Sequence, residues 1–351
     1  MLAGRTHRRP LAGYFLRRRG RTRRVRGRRV ATGHGLPSRG RHLAATLFCR
    51  RCNNGAILLR YRASALALKA FSATPLTRRL YRGLGNCLRR AGVTHLGGPA
   101  GNAAWLIANA GPISPATRAA EIGTGWLHFY GIAMCLAGLS SLDAYDVWDN
   151  RQLRRLKATF ASFGAHIAEL GVSESRQQAA RDKLKAMLDA KDWRELYDVL
   201  GLTYSLEPLR NASYDVIFSV DVLEHVRAGE LPSLIRRMFD ALAPGGLSLH
   251  HIGLDDHLTH YDRRASSKQY LAFTESQWRR LYDNDVQHFN RISCKAIRRM
   301  FAEAGFEEIA CTRRVDEGAL DGIVVAPQFR AQSREDLLTT WARLVHRKPA
   351  Q

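Results

Sequence analysis

Apolar and polar positions follow two different periods along the middle of the chain, and their alternation predicts a sheet flanked by helices. Strands are predicted at Arg118–Ile122, Ser141–Val147, Tyr214–Ser219 and Leu247–Ile252, and the nearly continuous apolar run at Tyr214–Ser219 is typical of a buried parallel strand. Helical periodicity lies between and after these strands, over Leu127–Leu139, Leu231–Leu242, Glu275–Tyr282 and Ser293–Ala304. We predict an α/β fold with a doubly wound, mostly parallel sheet, because strands that alternate with helices pair through right-handed crossovers.

Helical patterns also dominate the segments around this sheet. Amphipathic spacing between Ser64 and Arg90 indicates one or two helices, so residues 63–110 are predicted to form a helical lead-in. The main domain then covers residues 111–330. Within it, residues 151–200 are too long for a simple crossover and are predicted to be a helical insertion that lids the site.

The end of the chain is predicted to close the sheet. Phe306–Val315 and Ile323–Phe329 have the pattern of an antiparallel hairpin. Residues 331–351 are predicted to form a C-terminal helix.

The positive charge of the chain is concentrated ahead of the predicted sheet. The net charge is +24, yet residues 1–120 carry 25 Lys and Arg with no acidic residue, and the remainder carries 30 basic and 31 acidic residues. Residues 1–62 contain 18 Arg and no Lys, with little apolar periodicity. They are predicted to be a disordered extension. Four interpretations stay open: high-GC DNA translated upstream of the true start codon, an organelle transit peptide, a membrane-surface patch, or a nucleic-acid-binding arm.

The cysteines and the lengths of the apolar stretches indicate where in the cell the protein is located and whether it binds a metal. Six scattered cysteines suggest no disulfide framework and fit a reducing compartment. Cys49 and Cys52 have half of a zinc-site spacing, but no second pair lies at a suitable distance, so we predict no metal site. The longest apolar stretches fall short of the roughly 20 residues of a membrane span. We predict a cytoplasmic protein without a membrane span.

A glycine turn follows the first predicted strand. In Glu121-Ile122-Gly123-Thr124-Gly125, two glycines two residues apart allow the backbone to approach a ligand where a Cβ atom would collide. The Glu121 carboxylate just ahead of them would repel a pyrophosphate. It suits a ligand with an amino group and a sulfonium.

Four segments resemble, in order and spacing, the motifs of class I S-adenosylmethionine-dependent methyltransferases. The glycine turn resembles the first motif, and Asp146, 25 residues after Glu121, resembles the acid at the end of the second strand. Ser213–Val226, with the sequence SYDVIFSVDVLEHV, resembles the fourth strand and the helix after it. Leu242–Gly246 resembles the turn before the fifth strand. The resemblance covers roughly residues 111–330 and implies a Rossmann-like fold.

The resemblance also implies S-adenosylmethionine as the cofactor. The residues implied to bind it are Glu121, Gly123, Thr124, Gly125, Asp146 and Asp221. A carboxylate such as Asp146 can accept hydrogen bonds from both ribose hydroxyls. Leu127 stands where the family often has a third glycine, so Trp126 or backbone packing must close the turn.

Other roles for some of these residues stay open. The adenine contact is expected at Thr203 or Tyr204. Glu121 is also suited to capping a turn, and Asp221 to capping a helix that starts at Val222.

The implied mechanism is an in-line displacement at the sulfonium methyl, for which the protein positions the acceptor and, for a hydroxyl, removes a proton. Histidine suits the proton transfer because its pKa is near neutral. The histidines beyond the fourth and fifth strands are His225, His250, His251, His257 and His260. We predict His257 and His260 as catalytic, because loops at the carboxyl edge of an open α/β sheet bind ligands. For each histidine, a structural or surface role is the alternative.

The predicted function is methyl transfer to a hydroxyl or similar nucleophile of a small molecule, since the main domain is nearly neutral. One alternative is an RNA- or DNA-directed methyltransferase that uses the basic residues 1–62, although no Asn-Pro-Pro-Tyr-type motif follows the fourth strand. A non-catalytic cofactor-binding scaffold is another. An NAD-dependent oxidoreductase would require G-x-G-x-x-G, and His128 occupies the last position.

Overall fold

The computed structural model describes residues 59–88, 93, 95–210 and 213–350. Residues 1–58, which make up most of the predicted disordered extension, lie outside the described residues, and so do Cys49 and Cys52. Residues 59–62 are helical, and the Tyr61 side chain is fully buried. Ordered structure therefore begins before residue 63, earlier than predicted.

Seven strands and eleven α-helices lie within the described residues. The strands are β1 Arg118–Ile122, β2 Ser141–Tyr145, β3 Leu202–Ser205, β4 Tyr214–Val220, β5 Leu242–Gly253, β6 Glu307–Val315 and β7 Thr339–Arg347. The helices are α1 59–72, α2 Pro75–Leu88, α3 Gly97–Asn109, α4 Phe129–Leu136, α5 Leu153–Phe160, α6 Glu174–Asp189, α7 Trp193–Leu200, α8 Leu231–Ala241, α9 Glu275–Leu281, α10 Cys294–Glu303 and α11 Arg334–Leu338. None of these helices is long and apolar enough to cross a membrane.

The strands form one sheet in the order β3-β2-β1-β4-β5-β7-β6. Strands β1 to β5 are parallel, and β7 runs antiparallel between β5 and β6. The order of the first five strands is that of a doubly wound Rossmann sheet, which confirms the predicted fold class. The strand order reverses between β1 and β4, and ligands of such sheets bind at the carboxyl edge near that point.

Helices cover both faces of the sheet. Because successive strand residues point to opposite faces, Ala119 and Phe218 pack against α3 to α7, whereas Ala120 and Ile217 pack against α8 and α10. A third apolar cluster joins α1 to the segments that surround α9. There the Tyr61 hydroxyl donates a buried hydrogen bond of 2.5 Å to Asp256.

Most elements of the central region agree with the sequence. The predicted strand Arg118–Ile122 is β1. Helices α2 and α3 lie within residues 63–110 and α5 to α7 within residues 151–200, and the division into lead-in and insertion stays a prediction. Strand β3 was not predicted, because three of its four residues have hydroxyl side chains and it carries little apolar signal.

The predictions for the end of the chain are wrong in two respects. Strand β6 pairs with β7 and not with Ile323–Phe329, where only a 3-10 turn forms. The predicted C-terminal helix is limited to α11, and residues 339–347 are β7. Apolar residues at Leu338, Trp341 and Val345 have helical spacing, but pairing with β5 and β6 imposes a strand.

Candidate active site

The glycine turn lies at the switch point of the sheet and is fastened to the end of β2. Backbone N–H groups of Gly123 and Thr124 donate to the Tyr145 carbonyl at 2.8 and 3.0 Å. The Gly125 N–H donates to Asp146 Oδ2 at 2.8 Å. The turn is therefore held in a fixed shape by the strand beside it.

The two glycines of the turn face different surroundings. Both have positive φ, +70° at Gly123 and +66° at Gly125, which disfavours other residues. A Cβ atom on Gly123 would lie 2.5 Å from the Val222 side chain, so this glycine lets β1 approach the end of β4. A Cβ atom on Gly125 would meet nothing within 4 Å. The open side of the turn is therefore at Gly125.

Glu121 supports the turn from beneath. Its side chain is 2% exposed, and its carboxylate accepts hydrogen bonds from the Thr124 hydroxyl, at 2.6 Å, and from the Gly131 N–H. Burial raises the pKa of Glu121 to about 7. Thr124 also bonds Nδ1 of the buried His128 at 3.1 Å. The predicted contact between Glu121 and a ligand stays a prediction, since these bonds point to the interior.

Asp146 borders the open side of the turn. Its two oxygens accept the N–H groups of Gly125 and Val147, at 2.8 and 2.7 Å. Each carboxylate oxygen has a second lone pair, so capacity remains for ligand hydroxyls. Tyr204 donates to the Trp148 carbonyl at 3.2 Å, on the same side of the sheet edge. The predicted adenine contact through Tyr204 or Thr203 is not tested by these bonds.

At the end of β4, Asp221 pairs with a histidine of β5. Asp221 has a positive φ of +55°, and its Oδ1 lies 2.8 Å from His251 Nδ1. The alternative that Asp221 caps a helix is wrong, since its carboxylate bonds His251 and Val222 precedes the short 3-10 helix without a side-chain cap. A carboxylate on Nδ1–H leaves Nε2 as a proton acceptor. Nε2 of His251 has no hydrogen-bond partner among the described residues.

The neighbouring His250 has a structural role. It is fully buried and bonds Ser219 through Nδ1 and Ser248 through Nε2, both at 2.7 Å. Burial lowers its pKa to about 3, so the ring is neutral.

The predicted pair His257 and His260 lies in one 3-10 turn after β5, with the rings stacked 5.9 Å apart. The His257 ring packs on Phe289 and on His225, at centroid distances of 4.9 and 4.8 Å. Burial lowers the pKa of His257 to about 3. His260 is exposed. The two predicted histidines therefore have unlike surroundings.

His225 and His257 meet a buried carboxylate. One ligand-type atom from each of Glu224, His225 and His257 lies within 4.8 Å of the other two. Burial and then the Asp221 charge raise the pKa of Glu224 well above its usual range. No metal site was predicted from the sequence. Because Glu224 and His225 are more than 30 residues from His257 in the chain, their proximity was not evident from the sequence.

Sequence reasoning also missed residues that shape this edge. Asn290 donates from Nδ2 to the carbonyls of Leu223 and Val226, at 2.8 and 2.9 Å, and so fixes the turn after β4. The Trp341 ring packs at a tilt of 35° against the His251 ring, with centroids 5.5 Å apart, and Arg343 lies opposite His251 in the β5–β7 register. Both belong to β7, so the wrong helix prediction hid them.

The family described as a methyltransferase domain matches residues 137–310, a span that contains Asp146, Asp221 and the residues around His257. The chain is a class I S-adenosylmethionine-dependent methyltransferase. S-adenosylmethionine is its cofactor. No curated protein sequence matches the methyltransferase.

Solved structures with a distant similarity include three methyltransferases. A putative sarcosine dimethylglycine methyltransferase from Galdieria sulphuraria is 15% identical with a TM-score of 0.40, over 72% of this chain and 85% of that one. An S-adenosylmethionine-dependent methyltransferase from Mesorhizobium loti is 15% identical with a TM-score of 0.37, over 70% and 97%. Magnesium protoporphyrin IX methyltransferase from Synechocystis PCC 6803 is 14% identical with a TM-score of 0.37, over 70% and 80%.

The residues at the switch point fit the cofactor. The open space at Gly125 would be filled by any side chain there, and Asp146 beside it keeps lone pairs for hydroxyl donors. The methyltransferase thus has the glycine turn and the Asp146 carboxylate side by side at the carboxyl edge of the sheet.

Proposed function

We propose that the methyltransferase acts on a hydroxyl, or a similar nucleophile, of a small molecule. The observation that carries the proposal is the Asp221–His251 pair, whose nitrogen and oxygen are 2.8 Å apart at the carboxyl edge beside the glycine turn. A histidine held by a carboxylate is suited to take a proton from a hydroxyl.

The cofactor side of the edge is proposed to consist of Gly123, Thr124, Gly125, Asp146 and Asp221, with Glu121 beneath the turn. When bound, S-adenosylmethionine supplies a methyl on a sulfonium, so an O–CH3 bond forms, the S–CH3 bond breaks, and S-adenosylhomocysteine and one proton are released. Asp146 binds hydroxyl donors through its remaining lone pairs, and Gly125 leaves the space free.

On the acceptor side, His251 Nε2 takes the proton of the hydroxyl. Asp221 orients the ring and stabilises the imidazolium that forms, as the acid of a catalytic triad does. The tilted Trp341 ring packs against the same imidazole and limits its rotation. His251 suits this role better than His257, because burial holds the pKa of His257 near 3 and leaves it a weak base.

His257 and His260, predicted as catalytic, are proposed instead to contact the acceptor from the turn after β5. A cytoplasmic location also belongs to the proposal. It is supported by Cys135, Cys294 and Cys311, which are free thiols among the described residues and fit a reducing compartment.

The acceptor class is tested with cofactor that carries a labelled methyl. The full-length protein is incubated with whole-cell extract, and the extract is then separated into small molecules, nucleic acid and protein. We expect label in the small-molecule fraction, as a base-stable methyl ether. Label confined to RNA or DNA would instead favour the nucleic-acid alternative and overturn the proposal.

Cofactor binding is tested separately with Asp146→Asn. This change keeps the shape of the side chain and removes its charge, so we expect the Kd for S-adenosylmethionine to rise about 10- to 100-fold, by loss of charge-assisted hydrogen bonds. Calorimetric titration measures the Kd. The matched control is Asp215→Asn, an aspartate that also accepts a backbone N–H, from Arg118, but at the opposite edge of the sheet. Equal affinity in Asp146→Asn and the wild type would contradict the assignment of Asp146.

A further inference from the structure

We propose that Glu224, His225 and His257 form a binding site for a divalent cation of the Zn²⁺ type, with an open coordination position for the acceptor. The cation site itself is independent of the proposed function, whereas its role in acceptor binding rests on the proposed function. The three side chains each bring one ligand atom to within 4.8 Å of the others. Glu224 and His225 follow β4, and His257 follows β5.

The Glu224 carboxylate has an oxygen that the protein leaves unpartnered. Oε1 accepts the Gly253 N–H at 2.9 Å. Oε2 is buried and has no hydrogen-bond partner among the described residues. The residue is 3% exposed. A buried carboxylate oxygen without a partner is costly, and a cation would satisfy it.

His225 is oriented in the way that metal-binding histidines are. Its Nδ1 donates to the His288 carbonyl at 2.6 Å, which leaves the lone pair on Nε2. Histidines that bind metals almost always donate the other ring N–H to such an acceptor. The His257 ring has no hydrogen-bond partner among the described residues, so its nitrogens are also available.

The backbone around the cluster holds the ligands in place. Asn290 binds the turn of Glu224 and His225 through both hydrogens of its side-chain amide and through its own N–H, which donates to the Glu224 carbonyl at 2.8 Å. A Cβ atom on Gly253 would lie 2.8 Å from Glu224 Oε1, so glycine is needed there for the carboxylate to approach. The site is thus built by three separate segments of the chain.

The ligand set indicates the kind of cation. Two imidazoles and one carboxylate suit Zn²⁺, and three protein ligands with a free fourth position are typical of zinc sites that bind substrate. Ligand atoms in a tetrahedral zinc site are roughly 3.4 Å apart. Small side-chain rotations would therefore bring the three ligand atoms, now within 4.8 Å of one another, to the spacing of a zinc site. Asp221 adds negative charge beside the cluster, which favours a cation further.

The experiment measures Zn²⁺ affinity directly, by competition with a chromophoric chelator on metal-stripped full-length protein. Because Cys49 and Cys52 also offer thiolates, every protein in the series carries Cys49→Ser and Cys52→Ser. We expect this parent to bind one Zn²⁺ per chain, and Glu224→Gln and His257→Gln each to weaken binding by about 100-fold or more. The glutamines keep the size of the side chains and, at position 224, an acceptor for Gly253.

The matched control is His166→Gln, which removes a half-buried histidine that contacts the exposed Glu169 at 2.9 Å. We expect its Zn²⁺ affinity to equal that of the parent. The Kd for S-adenosylmethionine, measured in parallel, shows that each variant is folded. A parent without bound Zn²⁺, or Glu224→Gln and His257→Gln with parental affinity, overturns the site. Loss of Zn²⁺ binding with unchanged cofactor affinity supports it, whatever the acceptor is.

Discussion

Two buried glutamates stand at the same edge of the sheet, and their partners differ. Glu121, at the end of β1, accepts hydrogen bonds from Thr124 and Gly131, so its carboxylate is satisfied by the protein. Glu224, after β4, accepts only the Gly253 N–H, and its Oε2 has no partner among the described residues. Burial raises the pKa of both carboxyls.

This difference separates the two halves of the active site. On the cofactor half, the polar groups form hydrogen bonds with one another and with the glycine turn, and so they hold the backbone of the turn in a fixed conformation. On the acceptor half, lone pairs on Glu224, His225 and His251 stay available for atoms that are not part of the chain. A site that holds a large cofactor requires a rigid turn, whereas proton transfer and ligand binding require side chains with unshared lone pairs.

The largest effect is expected at His251. His251→Gln should lower the initial rate of label transfer to the small-molecule fraction by about 10²- to 10⁴-fold, because a general base contributes that much. The Kd for S-adenosylmethionine should stay unchanged. The neighbour gives the contrast: His250→Gln should leave the rate intact and lower the stability to urea by about 1–3 kcal/mol, since the buried bonds to two serines are disturbed. A His251→Gln rate near that of the wild type would remove His251 as the base.

The next largest effect concerns Glu121 and pH. Its pKa is raised from an ordinary value near 4.5 to about 7, so the folded state keeps a proton that the unfolded state loses, and stability falls as the pH rises across this window. Glutamine does not titrate. Glu121→Gln should therefore gain about 3 kcal/mol relative to the wild type between pH 4 and pH 8.

Urea denaturation of both proteins at several pH values measures this gain. A difference that does not change with pH would show that Glu121 is not neutralised by burial. Added Zn²⁺ should not alter the comparison at Glu121, whereas it should stabilise the wild type over Glu224→Gln.

The smallest effect is expected at Gly125 and Gly245, which both combine a positive φ with open space at the Cβ position. Gly125→Ala and Gly245→Ala meet no atoms within 4 Å, at φ of +66° and +80°, so each should cost about 1 kcal/mol of stability. Only Gly125→Ala should raise the Kd for S-adenosylmethionine, by about 10-fold, since its methyl group enters the proposed cofactor space. Equal Kd values in the two variants would place the cofactor elsewhere.

Much of the fold followed from local patterns. Strand β4 has a nearly continuous apolar sequence. The two glycines of the turn after β1 stand two residues apart, a spacing that neither a strand nor a helix requires. The short β3 and the C-terminal β7 were missed, because four residues carry little signal and because Trp341 and Val345 also fit a helical period. Pairing between β7 and β5 joins segments about a hundred residues apart, which no local pattern records.

The sequence by itself determined the α/β class, the family and the turn with Gly123, Gly125 and Asp146, since these depend on local periodicity and on motif order. Tertiary structure alone decided which histidine meets which acid. His251 lies beside Asp221, and His257 lies beside Glu224 and His225, although each pair is about 30 residues apart in the chain. The physical reason is that parallel strands bring their carboxyl ends together at one edge, while the register and the turns after β4 and β5 fix which side chains meet there.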